Sequence, residues 1–203
     1  MLMLMHTVIN DQIVGHLHDL LEFYETKGID LVLLCFPWYI SKETAQEMDV
    51  FVHDKFAWLP ALDKPRHTWD SFTYHLAPEK IDALMDDLRK INARTWKLKV
   101  RYQPGLEFDE IEAFVRGKSM TPRCAAKCSV LTTRADVVPT GQVVACKFFT
   151  EFSVGNLHDQ SLGALWNGEN YNRIRDTFSQ QLSPACSKCS VLYLHAHSTP
   201  LSV

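Results

Sequence analysis

Four cysteines set the tightest limit on what this chain can fold into. Cys128 and Cys146 bound the stretch "CSVLTTRADVVPTGQVVAC", in which two β-rich arms surround Pro139-Thr140-Gly141. Gly141 can supply the positive φ that a tight turn needs. Further on, "PACSKCS" carries a C-x2-C pair, Cys186 and Cys189. That spacing lets two sulfurs reach one centre from a single turn, as in zinc and iron–sulfur ligation. A hairpin brings its own two cysteines near a second pair delivered by a loop. Four thiolates then suit either one tetrahedral ion or one cluster, and spacing alone does not separate zinc from iron–sulfur. Of the six cysteines, Cys35 lies inside an apolar run and reads as a core thiol, while Cys124 falls just before the group.

The 203 residues allow one large domain, or a medium domain with a small appendage. Hydrophobic residues make up 46%, enough for a core, and the net charge of -3 supplies no basic field for nucleic acid or anionic membrane. No apolar run reaches the roughly 18 residues that span a bilayer. The start, "MLMLMHTVIN", lacks a basic segment and a small-residue cleavage site, so it makes a poor secretion signal. The chain is therefore expected to be cytoplasmic. A reducing compartment favours metal or redox chemistry for spaced cysteines over disulfides.

Along the chain, "LMLMHTVI" and "IDLVLLCF" read as strands buried in a parallel sheet. Between them, a helix capped by Asn10 or Asp11 carries the face Ile13, Leu17, Leu20, Leu21, Tyr24 and ends at Gly28. Ser41 opens a second helix with Thr44 and Met48 inward. This β-α-β-α order is that of crossover units. Residues 58–75 read as a loop. A helix follows Pro78 with the face Ile81, Leu84, Met85, Leu88, Ile91. A strand over 95–104 and a short helix around Phe108–Val115 come next. Then comes a linker at 118–123. Beyond the hairpin at 129–148, "EFSVGNLHDQ" reads as a loop, and Ser161 caps a short helix. A second helix carries Tyr171, Ile174 and Phe178, and the last residues read as a fraying tail. Asp86-Asp87 reads as a solvated helix face, and His16 and His18, two apart, share no helical face for a metal. Arg134, Lys147 and Arg175 read as solvated surface charges.

The region from Cys128 onward resembles the auxiliary-cluster domains of radical SAM enzymes, the twitch and SPASM domains. The resemblance rests on Cys128, Gly141, Cys146 and Cys186-x2-Cys189, with "GNLHDQSLGALWNGENYNRIR" between them. Within that stretch Gly155, Asn156, Ser161, Leu162, Trp166 and Asn167 match the family's pattern. It implies that Cys128, Cys146, Cys186 and Cys189 ligate one auxiliary [4Fe-4S] cluster. The two-cluster SPASM pattern continues with further cysteines, where this chain has His195 and Thr199, so the single-cluster twitch type fits better. Cys124 sits outside the matched pattern, and His195 reads as a tail residue rather than a replacement ligand.

Residues 1–117 resemble, by pattern alone, the later β/α units of the radical SAM partial barrel. The implied fold class is α/β: the C-terminal portion of a partial (β/α) barrel, a linker at 118–123, and a small α+β SPASM/twitch-like domain over 124–203 with a β-hairpin and cluster-binding loops. The C-x3-C-x2-C loop that holds the S-adenosylmethionine cluster is missing. Cys124 and Cys128 begin that spacing, but Leu131 stands at its third position. The resemblance thus implies that S-adenosylmethionine and a second [4Fe-4S] cluster belong only to a full-length enzyme. The partner would be a missing N-terminal barrel half or a separate radical SAM chain, and the substrate a peptide or small molecule. An unpartnered parallel edge at the first strand would be the structural counterpart of that gap. The competing reading is a zinc-stabilised binding module without redox activity.

Overall fold

The computed structural model describes residues 2–62, 64–118, 120 and 128–194. In chain order the elements are β1 (Leu4–Val8), α1 (Leu17–Thr26), β2 (Leu31–Cys35), α2 (Lys42–Phe56), α3 (Ile81–Ala93), β3 (Lys99–Gln103) and α4 (Phe108–Val115). Then follow α5 (Val130–Thr133), β4 (Asp136–Val137), β5 (Gln142–Val144), β6 (Ser153–Asn156), α6 (Leu162–Asn167), α7 (Glu169–Gln180) and α8 (Ser190–Leu194). Short 3-10 turns occupy Pro60–Leu62, Thr68–Ser71, Pro78–Lys80 and Pro184–Lys188. This is a mixed α/β protein with two small sheets. None of its described helices is long and apolar enough to cross a membrane.

The contacts divide the chain into two compact units, Met1–Tyr39 with Tyr74–Met120, and Ile40–Thr73 with Thr121–Val203. Residues 40–73 thus group with the C-terminal segment rather than with the rest of 1–117. The reason is an aromatic core. The Phe56 ring of α2 lies 5.1 Å from Phe152 and 5.7 Å from Phe178, and Trp69 lies edge-on to Phe149 at 5.8 Å. Rings at these separations and tilts gain beyond their buried area. Of the expected linker at 118–123, residues 119 and 121–123 lie outside the described residues, as do Cys124, His195 and Thr199.

In the first unit, β1, β2 and β3 form a parallel sheet in that order, with Val8 opposite Cys35 and Cys35 opposite Gln103. The helical face of α3 is buried at Ile81, Leu84, Met85, Leu88 and Ile91, as its periodicity predicts. Helix α1 begins only at Leu17. Asn10 Oδ1 accepts the Gln12 and Ile13 N–H groups in a turn, and Gly15 takes a φ of +94°. The buried Asp87 then accepts the N–H groups of Gly15 (2.7 Å) and Leu17 (3.2 Å). Asp87 is therefore a cap supplied by α3, not a solvated residue; Asp86 alone is exposed, paired with Arg89. Asp87→Ala leaves the start of α1 without acceptors inside the protein and is expected to cost about 2–3 kcal/mol in denaturant unfolding. Asp86→Ala is expected to stay within about 0.5 kcal/mol of the parent.

Cys35 is a buried thiol, as expected, lying against the His6 ring and donating toward Gln103 Oε1 at 3.6 Å. Burial pushes its pKa up to about 11. The folded state therefore holds this proton where the unfolded chain, with a thiol near 9, has lost it. Stability from this group is complete below about pH 9 and is lost as pH rises toward 11. A comparison of Cys35→Ala with the parent is expected to show a shallower alkaline fall in stability, by up to about 2 kcal/mol, across that window.

Candidate metal centre

The second unit carries four of the cysteines on three different supports. Cys128 precedes α5, and Cys146 follows β5. Cys186 lies in the 3-10 turn Pro184–Lys188, and Cys189 caps the end of that turn. None of these is in a disulfide.

Strands β4 and β5 pair antiparallel, with Asp136 opposite Val144, and β6 joins on the other side of β5. Gly141 takes φ +80° in the turn between β4 and β5, and a Cβ there would stand 2.8 Å from Asn156 Oδ1. The Asn156 side chain ties the elements together: its amide donates to Thr140 O (3.1 Å), and its carbonyl accepts the His158 N–H (3.0 Å). The stretch read as a loop after Cys146 thus contains a strand, β6. Its irregular register, with a shift at Val143/Val144, removes the alternation that marks a strand in sequence. Ser161 caps α6 through the Ala164 N–H, and α7 buries Tyr171, Ile174 and Phe178.

The thiols form one electrostatic neighbourhood. Burial pushes the Cys146 pKa up to about 12; charge on Cys189 and on Cys128 raises it further, and the N–H groups of Phe148 and Phe149 donate to its sulfur and oppose the rise. Cys186 is pushed up chiefly by burial, with Cys189 and Cys146 adding, while Ser183 hydrogen-bonds its sulfur (3.1 Å between hydroxyl and Sγ). Cys189 is raised by burial and by Cys128, against the N–H groups of Leu192 and Val191 and the charge of Lys147. Backbone donors aimed at sulfur are what a thiolate centre requires in place of water. Among the described residues no three of these sulfurs lie within 4.8 Å of one another. Thiolates on one tetrahedral zinc, with Zn–S near 2.3 Å, sit about 3.8 Å apart. A multi-iron core holds its thiolates farther out than a single zinc ion does.

Charged residues near these cysteines take three different roles. Lys147 is exposed, with Nζ 4.6 Å from the Phe148 ring centre. Arg134 donates to Asp136 at 3.0 Å. Arg175 is not a solvated charge: its Nε donates to Leu131 O (2.8 Å), its Nη1 to Trp166 O (2.7 Å), and its plane lies against Tyr171 and Trp166. Sequence reading also passed over Lys188, between the two cysteines of the C-x2-C pair. It is fully buried, and burial lowers its pKa to about 8. A lysine in a polar-looking turn carries no sequence mark of burial.

Elsewhere, His18, Asp19 and Glu22 place potential ligand atoms within 4.8 Å of one another on α1. Glu22 is engaged by Arg94, and the His18 ring lies 5.2 Å from Trp96, so these side chains already have structural partners.

Residues 128–190 match the SPASM family, described as an iron–sulfur cluster-binding domain. The match takes in all four cysteines and the sheet and helices between them. Such domains are found in radical SAM enzymes. No curated protein matches the chain.

Proposed function

We propose that Cys128, Cys146, Cys186 and Cys189 hold one [4Fe-4S] cluster, and that the chain is the auxiliary-cluster part of a radical SAM enzyme acting on a peptide or small molecule. The observation that carries this reading is the convergence, within the matched segment, of four buried or half-buried thiols. Backbone N–H donors are aimed at Cys146, Cys186 and Cys189, and the segment matches an iron–sulfur cluster-binding family. The cluster, when bound, supplies one-electron redox chemistry. The residues of this chain bind it, exclude water from its sulfurs and set its potential through hydrogen bonds and burial.

The S-adenosylmethionine site belongs, in this proposal, to a further β/α portion, covalently joined or a separate chain. The first unit supports it. Among the described residues strand β1 ends its sheet, and Leu4 (51%) and Val8 (53%) are exposed on it, with Leu2 (74%) just before it. An apolar parallel edge of this kind is a surface for another strand. Co-expression with a radical SAM chain carrying C-x3-C-x2-C, followed by co-purification, tests this part.

For the cluster, the decisive experiment is anaerobic reconstitution with ferrous iron and sulfide. About four iron per chain, matching acid-labile sulfide and broad visible absorption support the reading. A colourless protein holding one zinc overturns it in favour of a structural zinc module.

A further inference from the structure

Among the described residues, the partners of Arg175 leave one of its buried donors over. Arg175 reaches from α7 to α5, the short helix that follows Cys128. Its Nε holds Leu131 O, and its Nη1 holds Trp166 O and, at 2.9 Å, Asn172 Oδ1. The guanidinium carbon stands 4.0 Å from the Tyr171 ring centre and 4.3 Å from that of Trp166. The remaining nitrogen, Nη2, is buried and has no hydrogen-bond partner among the described residues. Among the described residues these partners are carbonyl or amide oxygens and ring faces, with no carboxylate. A guanidinium held this way has its geometry fixed while its buried Nη2 keeps an N–H donor for an anion. The Tyr171 phenol, on which Arg175 stacks, is raised chiefly by burial and feels the charges of Arg175, Asp136, Cys128 and Arg134, so the guanidinium and that thiol share one locality.

We propose that Arg175 is a positioning residue for the cysteine centre: it fixes the Cys128 turn through Leu131 and sets its Nη2 N–H group and positive charge against the anionic iron–sulfur group. This rests on the cluster reading above. A cluster with four thiolates is negatively charged, and more so when reduced. A fixed cation next to it stabilises the reduced form and raises the midpoint potential. The Leu131 bond has a separate effect, since it holds the backbone that presents Cys128. Charge and turn geometry are thus two contributions of one side chain, and two substitutions separate them.

The test uses the full chain reconstituted anaerobically with ferrous iron and sulfide, alongside Arg175→Gln and Arg175→Lys. Read-outs are iron and sulfide content, the midpoint potential from an EPR-monitored redox titration, and the rate of iron release to a ferrous chelator. Arg175→Gln is expected to shift the midpoint to more negative values, lowering the reduced-to-oxidised ratio at a fixed potential about tenfold. Arg175→Lys keeps the charge but cannot hold both carbonyls. It is expected to stay near the parent potential and to release iron several-fold faster. A loaded Arg175→Gln with the parent's potential overturns the assignment. Should that variant not fold, an Arg175→Lys protein that releases iron at the parent's rate overturns it. A parent chain that takes up no iron and sulfide overturns the cluster reading itself, which is a different result from either.

Discussion

Cys146→Ser is expected to reduce reconstituted iron from about four per chain to below about one, with loss of the visible absorption. The site explains the size of the effect. Cys146 follows β5, buried, with the Phe148 and Phe149 N–H groups aimed at its sulfur. Burial already pushes the thiol up to about 12, so iron has to displace a tightly held proton. A serine hydroxyl holds its proton more strongly still and is a harder, poorer ligand for iron. The same swap at Cys35, in the other unit, is expected to leave iron content unchanged. If Cys146→Ser binds the parent amount of iron and sulfide, Cys146 is not a ligand. Chelating the iron from the parent is expected to lower its Tm, because a group bound only by the folded state stabilises it.

The second large effect is expected at Glu151, five residues beyond Cys146. Its carboxylate is buried, accepts the Thr68 N–H at 2.7 Å and the Thr68 hydroxyl, and lies 3.9 Å from His67 Nδ1. It fastens the 67–71 turn, with Trp69 at its centre, to the segment after Cys146. Glu151→Ala removes two bonds to a charged acceptor and strands a backbone N–H. The expected cost is about 3 kcal/mol, or a fall in Tm of about 6–12 °C. Glu151→Gln retains an acceptor oxygen and is expected to lose about half as much. Thermal and denaturant unfolding of the apo chain checks both. An alanine variant within about 0.5 kcal/mol of the parent would show that the Thr68 groups find water instead.

The match to an iron–sulfur cluster-binding domain was legible in the sequence because each of its signals is short-range. A C-x2-C spacing, a glycine at a turn and a serine three residues before a helix N–H all act within a few residues. Helical faces such as Ile81, Leu84, Met85, Leu88 and Ile91 repeat at the helix period, and burial follows. Arg175 and Glu151 were illegible for the converse reason. Their partners lie 44 and 83 residues away, and a charged side chain in sequence looks solvated until the fold closes over it.

Sequence alone determined the parallel strands of the first unit, the buried face of α3 and the turn at Gly141, because propensity, period and turn chemistry are local. Tertiary structure decided that α2 and the loop after it group with the C-terminal segment, through Phe56, Trp69, Phe149, Phe152 and Phe178. It also decided that Asp87 caps α1, that Lys188 is buried and that Arg175 is clamped beside the Cys128 turn. Those outcomes depend on which distant surfaces exclude water from one another, and a polar residue carries no local record of that.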